Sequence, residues 1–304
     1  MRIRLAMRTL MKGHSRMASK LDPHLHLAGT VEEAVAALRD YGDGGAPLAG
    51  ATWIMRAPIR RETLKRAYVS LAAIDELRAI RSTDREFSIG ACVTHDQLVL
   101  QFAAIPGFRA LTDAAGKSAN PAVRGAATIG GNLSATDFAA ADLVPALMSL
   151  SAEVELASEN GSKRMSMEAF LETRASLEPG TIVRCVSIPK RAYRSAHARL
   201  PLRKAGDYPV AIVSVALDVA SNGSVSNAMV AVGSVEDKAR RWFELENELV
   251  GRPLDAQHSK LLATRHAQVF KGREGAEAPG WYRLQVLPTL LSRAVADIQT
   301  QLRT

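Results

Sequence analysis

Cysteine is nearly missing from this chain: 304 residues contain two, Cys92 and Cys185. Two thiols exclude an iron–sulfur cluster held by four cysteines, and a cysteine-rich zinc site, within this chain. No C-x-x-C or H-E-x-x-H spacing occurs and the seven histidines are scattered, so no metal site is expected. His24 and His26 alternate, which suits ring packing along one strand face. Sparse cysteine fits a reducing, cytoplasmic compartment. Long apolar runs are also lacking, so no membrane span is expected. No low-complexity tract and no solenoid-type repeat occurs. Acidic residues are missing from the first 20 positions, which hold Arg2, Arg4, Arg8, Lys12, Arg16 and Lys20. Six of the eight net positive charges sit there, and the rest of the chain is close to balanced. A basic nucleic-acid-binding domain is therefore excluded. The tail has the composition of a transit peptide but no secretory apolar stretch. The simpler reading is a start at Met17, with residues 1–18 poorly ordered or lying on a partner.

What is present suits a globular chain with a sizeable core. Apolar residues make up 47% and charged residues 23%, and the length allows two domains, or one with a smaller appendage. One stretch organises the rest: Ala126-Ala-Thr-Ile-Gly-Gly-Asn-Leu-Ser134, running on to Asp142. Adjacent Gly130 and Gly131 let backbone approach a ligand closely, and bare N–H groups can converge on an anion. Asp142-Leu-Val-Pro-Ala-Leu reads as a helix start with Asp142 as N-cap and Pro145 at the third helical position. A second segment of similar chemistry, Pro47-Leu-Ala-Gly-Ala-Thr-Trp53, lies about 80 positions upstream. Two such loops suit a dinucleotide whose pyrophosphate is gripped from both sides.

In chain order, Leu25 and Leu27 suggest a short strand. Thr30-Val-Glu-Glu33 is a capping box opening a helix that buries Ala34, Val35 and Leu38. Strands are expected at 68–71 and 87–93. Thr94 should cap a helix, with His95 at a surface position of its first turn. Residues 152–156 alternate as a strand, Asn160-Gly161 is a hairpin turn, 167–171 is a helical piece, and 181–189 is a strand ending at proline. Basic and small residues near 190–200 mark a boundary. Beyond it come strands at 209–219 and 224–235 about Asn222-Gly223, then helices near 237–250, 256–271 and 284–302. Gly233 and Gly251 have ordinary structural uses there. Leu287, Leu290, Leu291, Val295 and Ile298 form the apolar stripe of the last helix. Strands followed by helices indicate an α+β domain.

The order Leu-Ala-Gly-Ala-Thr (48–52), Ile-Gly-Ala (89–91), Thr94-His95, Val123-Arg124, Thr-Ile-Gly-Gly-Asn (128–132), Asp142, Pro145-Ala-Leu147 and Ile188-Pro189 resembles one family. It is the FAD-binding medium subunit of the molybdenum hydroxylases, which include carbon monoxide, bacterial xanthine and N-heteroaromatic dehydrogenases. Tyr208-Pro-Val-Ala, Val230-Ala-Val-Gly233 and Glu246 to Gly251 are similar to that subunit's C-terminal domain, so the resemblance spans about residues 22 to 255.

The resemblance implies an α+β fold: a two-subdomain FAD-binding (PCMH-type) module over 22–192, split near 75–85, then a C-terminal flavoprotein domain over 193–304. Residues 1–21 form a basic extension. Leu48, Ala49, Gly50, Ala51, Thr52 and Trp53 would form the first loop over the FAD phosphates. Thr128, Ile129, Gly130, Gly131 and Asn132 would form the second, with Thr128 and Asn132 adding side-chain hydrogen bonds. Thr136 and Asp137 follow. Asp142, or Asp137 in its place, matches the acid near the ribityl or adenosine hydroxyls, and Val183 packs near the flavin. Three departures stand out. Ala51 replaces a usual glycine or asparagine, which suits a negative φ, and Trp53 replaces a small or polar residue. The Asn132-to-Asp142 spacing is one residue longer than the common pattern. Arg199 is the residue nearest to a lysine that often precedes the Arg203-Lys204 pair.

By the same resemblance, substrate is hydroxylated at a molybdopterin cofactor in a large subunit. Electrons then pass through two [2Fe–2S] clusters of a small subunit to FAD here, and on to an external acceptor. No catalytic acid–base residue is expected in this chain. The flavin should be non-covalent, because neither glycine loop contains Cys or His. The alternatives are a stand-alone flavin oxidoreductase of a related fold, or a structural subunit that has lost FAD, as Ala51 and Trp53 would suit.

Overall fold

The computed structural model describes residues 23–203, 207–275 and 277–303. The expectations for residues 1–21, including the Met17 start, and for Lys204 lie outside the described residues. Three sheets organise the described residues. The first is parallel, in the order β1-β3-β2, from β1 (His24–Leu27), β2 (Gly45–Leu48) and β3 (Ala67–Ser70). The Val31–Tyr41 helix connects β1 to β2 and buries Val31, Ala34, Val35 and Leu38, the face its spacing predicts. Thr30 Oγ1 caps it by accepting from the Glu33 N–H, while the Glu33 carboxylate accepts from the Gly29 N–H at 2.7 Å. Strand β2 thus delivers the chain directly into the first glycine segment.

The second sheet is antiparallel and runs β4-β5-β8-β6-β7. Its strands are β4 (Ile80–Ser82), β5 (Glu86–Gly90), β6 (Glu153–Ser158), β7 (Gly161–Ser166) and β8 (Ile182–Pro189). Strand β8 enters between β5 and β6, pairing Phe87 with Ile188 on one side and Val154 with Val186 on the other. The Asn160-Gly161 turn forms with Gly161 at φ +93°. Between β5 and β6 the chain makes helices at His95–Phe102, Arg109–Lys117, Ile129–Ser134 and Leu143–Ser149. Their apolar sides share one core with the sheet, including Ile89, Leu98, Phe102, Ile129, Leu147 and Val186. Every residue of Leu143–Ser149 is buried.

The third sheet, also antiparallel, runs β12-β11-β10-β9: β9 (Arg194–Pro201), β10 (Pro209–Val219), β11 (Val225–Gly233) and β12 (Arg240–Arg241). The Asn222-Gly223 turn is present, with Gly223 at φ +81°. Strand β9 fills a stretch whose sequence reads only as a boundary. Ser195, His197 and Arg199 alternate with Ala196, Ala198 and Leu200, and the second set packs on the core of the third sheet. Ser195 Oγ donates to Gly107 O at 2.7 Å and accepts from the Ala110 N–H at 2.9 Å, and His197 Nδ1 meets Ser214 Oγ at 2.8 Å. The helix expected from 237 is shorter, Phe243–Leu249, because Arg240 and Arg241 pair with β11 first. The next is Ala256–His266 with a 3₁₀ turn after it, and the last is Gly280–Gln301, with its expected stripe buried. Gly233 lets the third sheet close on the buried helix: a Cβ there would lie 2.9 Å from the Pro145 ring.

Candidate functional site

The two glycine segments meet. A Cβ on Gly50 would fall 1.7 Å from the Ala126 carbonyl oxygen, so only glycine lets the first segment rest on the backbone of the second. The second segment is held from behind by residues 91–95. The Gly130 N–H donates to Ala91 O at 2.8 Å, the Ile129 N–H to Val93 O at 2.9 Å, and the His95 N–H to Ala127 O at 3.0 Å. A Cβ on Gly130 would lie 2.7 Å from that of Ala91. Gly131, in contrast, is exposed, and a Cβ there would approach only Thr128 Oγ1, at 3.0 Å.

Two local expectations are corrected here. Thr-Ile-Gly-Gly-Asn is not a loop leading to a helix at Asp142. It is the start of its own short helix, Ile129–Ser134, with Thr128 as N-cap and Thr128 Oγ1 accepting from the Gly131 N–H at 3.1 Å. Asp142 precedes the Leu143–Ser149 helix but has helical dihedrals and makes no cap bond; Pro145 still falls at its third position. Ala51 also departs from expectation, because its φ is +59° rather than negative. A Cβ in the left-handed region costs about 1–2 kcal/mol, which the contacts of the loop must offset.

A cavity of about 580 Å³ opens beside both segments, within the range of cofactor sites. Of the residues singled out in the sequence, Ala49, Gly50, Ala51, Thr52, Trp53, Thr128, Gly130, Gly131, Asn132, Asp142 and Val183 line it. Leu48, Ile129, Thr136 and Asp137 are not among its lining. Leu48 ends β2 and its carbonyl accepts from the Leu71 N–H. Ile129 is fully buried in the core behind the cavity. Thr136 and Asp137 are exposed.

The polar groups around the cavity are unevenly satisfied. Asp142 is 3% exposed and its carboxylate is held from β9. Arg199 Nε donates to Oδ1 at 2.8 Å, Arg199 Nη2 to Oδ2 at 3.4 Å, and His197 Nε2 lies 3.4 Å from Oδ1. Arg199, set apart above as the nearest match to a lysine, is thus the ion-pair partner of Asp142. Arg174 closes the far end of the Ile129–Ser134 helix, donating to the carbonyls of Leu133 at 2.5 Å and Thr136 at 3.5 Å. Burial pulls its guanidinium pKa down, and the charge of Asp137 acts against that. Cys92 lines the cavity as a buried thiol whose pKa burial pushes up to about 11, so it stays protonated and unreactive near neutrality. Two buried atoms, His95 Nε2 and Asn132 Oδ1, have no hydrogen-bond partner. Buried polar atoms normally do. Both residues line the cavity, so both fit a polar guest.

His95 overturns the surface reading of its position. It is 2% exposed, because the first turn of its helix is pinned against Ala127 and Thr128. A signal is available: His95, Leu98 and Phe102 follow i, i+3, i+7 and are the buried face of that helix. Sequence reasoning also misses an aromatic row on the cavity wall. Trp53 packs on Phe138 with ring centroids 4.7 Å apart, and Phe138 on Tyr208 at 5.0 Å. Arg60 lies 3.8 Å over the Trp53 ring and Arg56 lies 5.1 Å from the Tyr208 centroid. Trp53, odd for its position in the sequence, belongs to an aromatic row built from three separate segments. Nothing local in the sequence signals Arg174 or Phe138.

Comparison with known proteins agrees with this geometry. Residues 19–191 match the family described as FAD binding domain in molybdopterin dehydrogenase, and residues 191–298 match the CO dehydrogenase flavoprotein C-terminal domain. The nicotinate dehydrogenase FAD-subunit of Eubacterium barkeri is 30% identical over 282 residues, covering 90% of this chain and 95% of that protein. The 6-hydroxypseudooxynicotine dehydrogenase complex subunit alpha of Paenarthrobacter nicotinovorans is 28% identical, covering 89% and 92%. A solved structure of reconstituted CO dehydrogenase from Oligotropha carboxidovorans superposes with a TM-score of 0.83 at 25% identity, covering 92% of this chain and 98% of that one. Both family matches, their order along the chain and the paired glycine segments agree: this chain belongs to the FAD-binding medium subunits of the molybdenum hydroxylase family.

Proposed function

We propose that this oxidoreductase subunit is the electron-exit component of a heterotrimer. It would accept electrons from the [2Fe–2S] clusters of a small partner, downstream of a large molybdopterin subunit, and release them to an external acceptor. The observation that carries the reading is the cavity wall made by two glycine segments in backbone contact, with two buried acceptors left unmet. When bound, FAD supplies acceptance of an electron pair and its release singly or together.

This chain's own residues bind and orient. The N–H groups of Ile129, Gly130, Gly131 and Asn132 are already taken by Val93 O, Ala91 O, Thr128 Oγ1 and Thr128 O, so they are not the bare anion-binding set the sequence suggests. Gly131, exposed at the first turn of its helix, instead makes room for the pyrophosphate by lacking a Cβ, and Thr128 fixes that turn by capping it. Ala49 to Trp53 supply the facing wall, and Asn132 and Asp142 the polar side chains. Val183, on β8, supplies apolar surface. Leu48 and Ile129 act from behind that wall, and Thr136 is exposed outside it. Asp137 is exposed and Asp142 lines the cavity, which favours Asp142 as the cofactor acid. The boundaries proposed are 22–192 for the FAD module, with its subdomains dividing near 75–85 between the first and second sheets, and 193–304 for the C-terminal domain. The basic 1–21 extension precedes them. A cytoplasmic location is proposed from the cysteine usage; among the described residues no helix is long and apolar enough to cross a membrane.

The test is anaerobic. The FAD-loaded chain is mixed with the organic substrate of its complex while the flavin absorption band is followed, and the partner subunits are then added. Bleaching only after that addition supports the proposal. Bleaching by the chain alone makes it a complete dehydrogenase, and a chain that takes up no flavin is a structural subunit.

A further inference from the structure

Every polar atom of His95 except one is accounted for. Its N–H donates to Ala127 O at 3.0 Å, and its Nδ1 lies 2.8 Å from Ser118 Oγ. Ser118 Oγ in turn lies 3.0 Å from Ala115 O, to which it is the donor. A hydroxyl has one hydrogen. With that hydrogen on Ala115 O, Ser118 Oγ accepts, and His95 Nδ1 must be the proton-bearing nitrogen. The neutral ring then presents Nε2 as a bare lone pair, buried, unpartnered, and part of the wall of the cavity. The reverse tautomer would leave an N–H donor buried with nothing to receive it. Asn132 Oδ1, on the same wall, is likewise an acceptor without a donor.

Two acceptors do not suit a phosphate, which offers only acceptors of its own. We propose that His95 is a cofactor-binding residue whose Nε2 accepts a hydrogen bond from a hydroxyl or N–H group of the bound FAD. This rests on the reading of the cavity as the FAD site. The chemistry is that of a polyol, a ribose or a ring N–H, present in both halves of the cofactor. The charged groups that act on the ring are Asp142, ahead of the Leu143–Ser149 helix, Asp96 on its own helix and Arg124 of the 121–124 turn; burial is the largest influence and keeps the ring neutral near pH 7.

The experiment titrates FAD into the flavin-stripped full chain and compares wild type, H95N and H95Q. Asn reproduces the donor toward Ser118 but offers nothing at the position of Nε2. Gln places an amide oxygen there. The expected result is an FAD Kd raised about 5- to 10-fold in H95N, the usual weight of one neutral hydrogen bond, and restored to within about 3-fold of wild type in H95Q. Repeating the H95N comparison with riboflavin 5′-phosphate and with ADP locates the donor, because the penalty follows the half that carries it. Lowering the pH from 7 to 4, where about half of the rings carry the proton, adds a sign. Protonation removes the lone pair, so wild-type affinity should fall relative to H95Q, in which every other titrating group is retained.

Unchanged affinity in both variants overturns the proposal. So does an equal loss in both with a lowered melting temperature of the apo chain, which would mark a structural residue. Wild-type affinity rising relative to H95Q in acid would mean that a phosphate accepts from the ring, and would overturn it as well. A wild-type chain that binds no FAD overturns the reading of the cavity itself; the other outcomes leave that reading standing.

Discussion

At the scale of single residues, His95 makes an acid-sensitive point in the fold. Burial lowers its pKa from 6.5 to about 4. The folded value lies below the unfolded one, so the unfolded chain takes up the proton first. Stability should therefore fall as pH drops below 6.5, with the loss complete below about 4. The upper bound is ~3.5 kcal/mol, at about 1.4 kcal/mol for each tenfold change in proton affinity. Urea melts at pH 7 and 4.5 check this: wild type should lose about 2 kcal/mol more than H95Q across the interval. Ala51 offers the opposite test. Replacing it with glycine relieves the φ of +59°, while giving the unfolded chain more freedom. The net expected gain is about 0.5–1 kcal/mol, read as a higher denaturation midpoint. The two residues differ in how far the sequence foretells them. Ala51 cannot announce its dihedral, because nothing in its own residue type favours a φ of +59°. His95 can be placed, since its spacing to Leu98 and Phe102 is a buried helical face. An imidazole in a capped first turn nonetheless looks like a surface residue.

At the scale of the element, the short Ile129–Ser134 helix carries the site. Thr128 caps it, and T128A should cost about 1 kcal/mol of stability and weaken FAD binding by loosening Gly131. G131V should fold, because a Cβ at this exposed position meets only Thr128 Oγ1 at 3.0 Å. It should also lose flavin, because a branched side chain then stands where the ligand must approach. Flavin absorbance per chain after reconstitution gives the answer, and wild-type occupancy would reduce this helix to a turn. G50A is a different case. Its Cβ would sit 1.7 Å from a backbone oxygen, so it should fail to assemble the two segments, seen as loss of both flavin uptake and cooperative melting. The glycines are equally conspicuous in the sequence, and only the contacts tell a ligand-facing one from a packing one. Other elements are legible for plain reasons. The Val31–Tyr41 helix and the turns at Gly161 and Gly223 carry strong local signals. Strand β9 does alternate, Ala196, Ala198 and Leu200 against Ser195, His197 and Arg199, but its small and basic residues read as a boundary and the partners of Ser195 and His197 lie far along the chain.

At the scale of the molecule, the FAD module is tied to the third sheet beside the cavity, and Tyr208, just ahead of β10, is part of the cavity wall. Asp142 of the first is held by Arg199 and His197 of the second, with side-chain exposures of 3%, 6% and 0%. Replacing Arg199 with methionine leaves a buried carboxylate without its charged partner, which costs about 3–5 kcal/mol. Chemical denaturation of R199M should show that loss. The same variant should bind FAD more weakly, because Asp142 and Tyr208 both reach the cavity. The flavin itself should leave with the supernatant on acid precipitation. Cys92, the cavity thiol, is held protonated with a pKa of about 11 and is no nucleophile.

The order β4-β5-β8-β6-β7 has a consequence in time. During synthesis β5 and β6 emerge well before β8, and neither pairs with the other; the slot between them stays open until residues 182–189 arrive. The same late segment brings Val183 to the cavity wall. A nascent chain that already displays both glycine segments thus still lacks one wall of its site. Flavin capture is accordingly a late event in the life of the polypeptide, and a ribosome stalled ahead of β8 would carry a chain with both grips formed and nothing yet to hold.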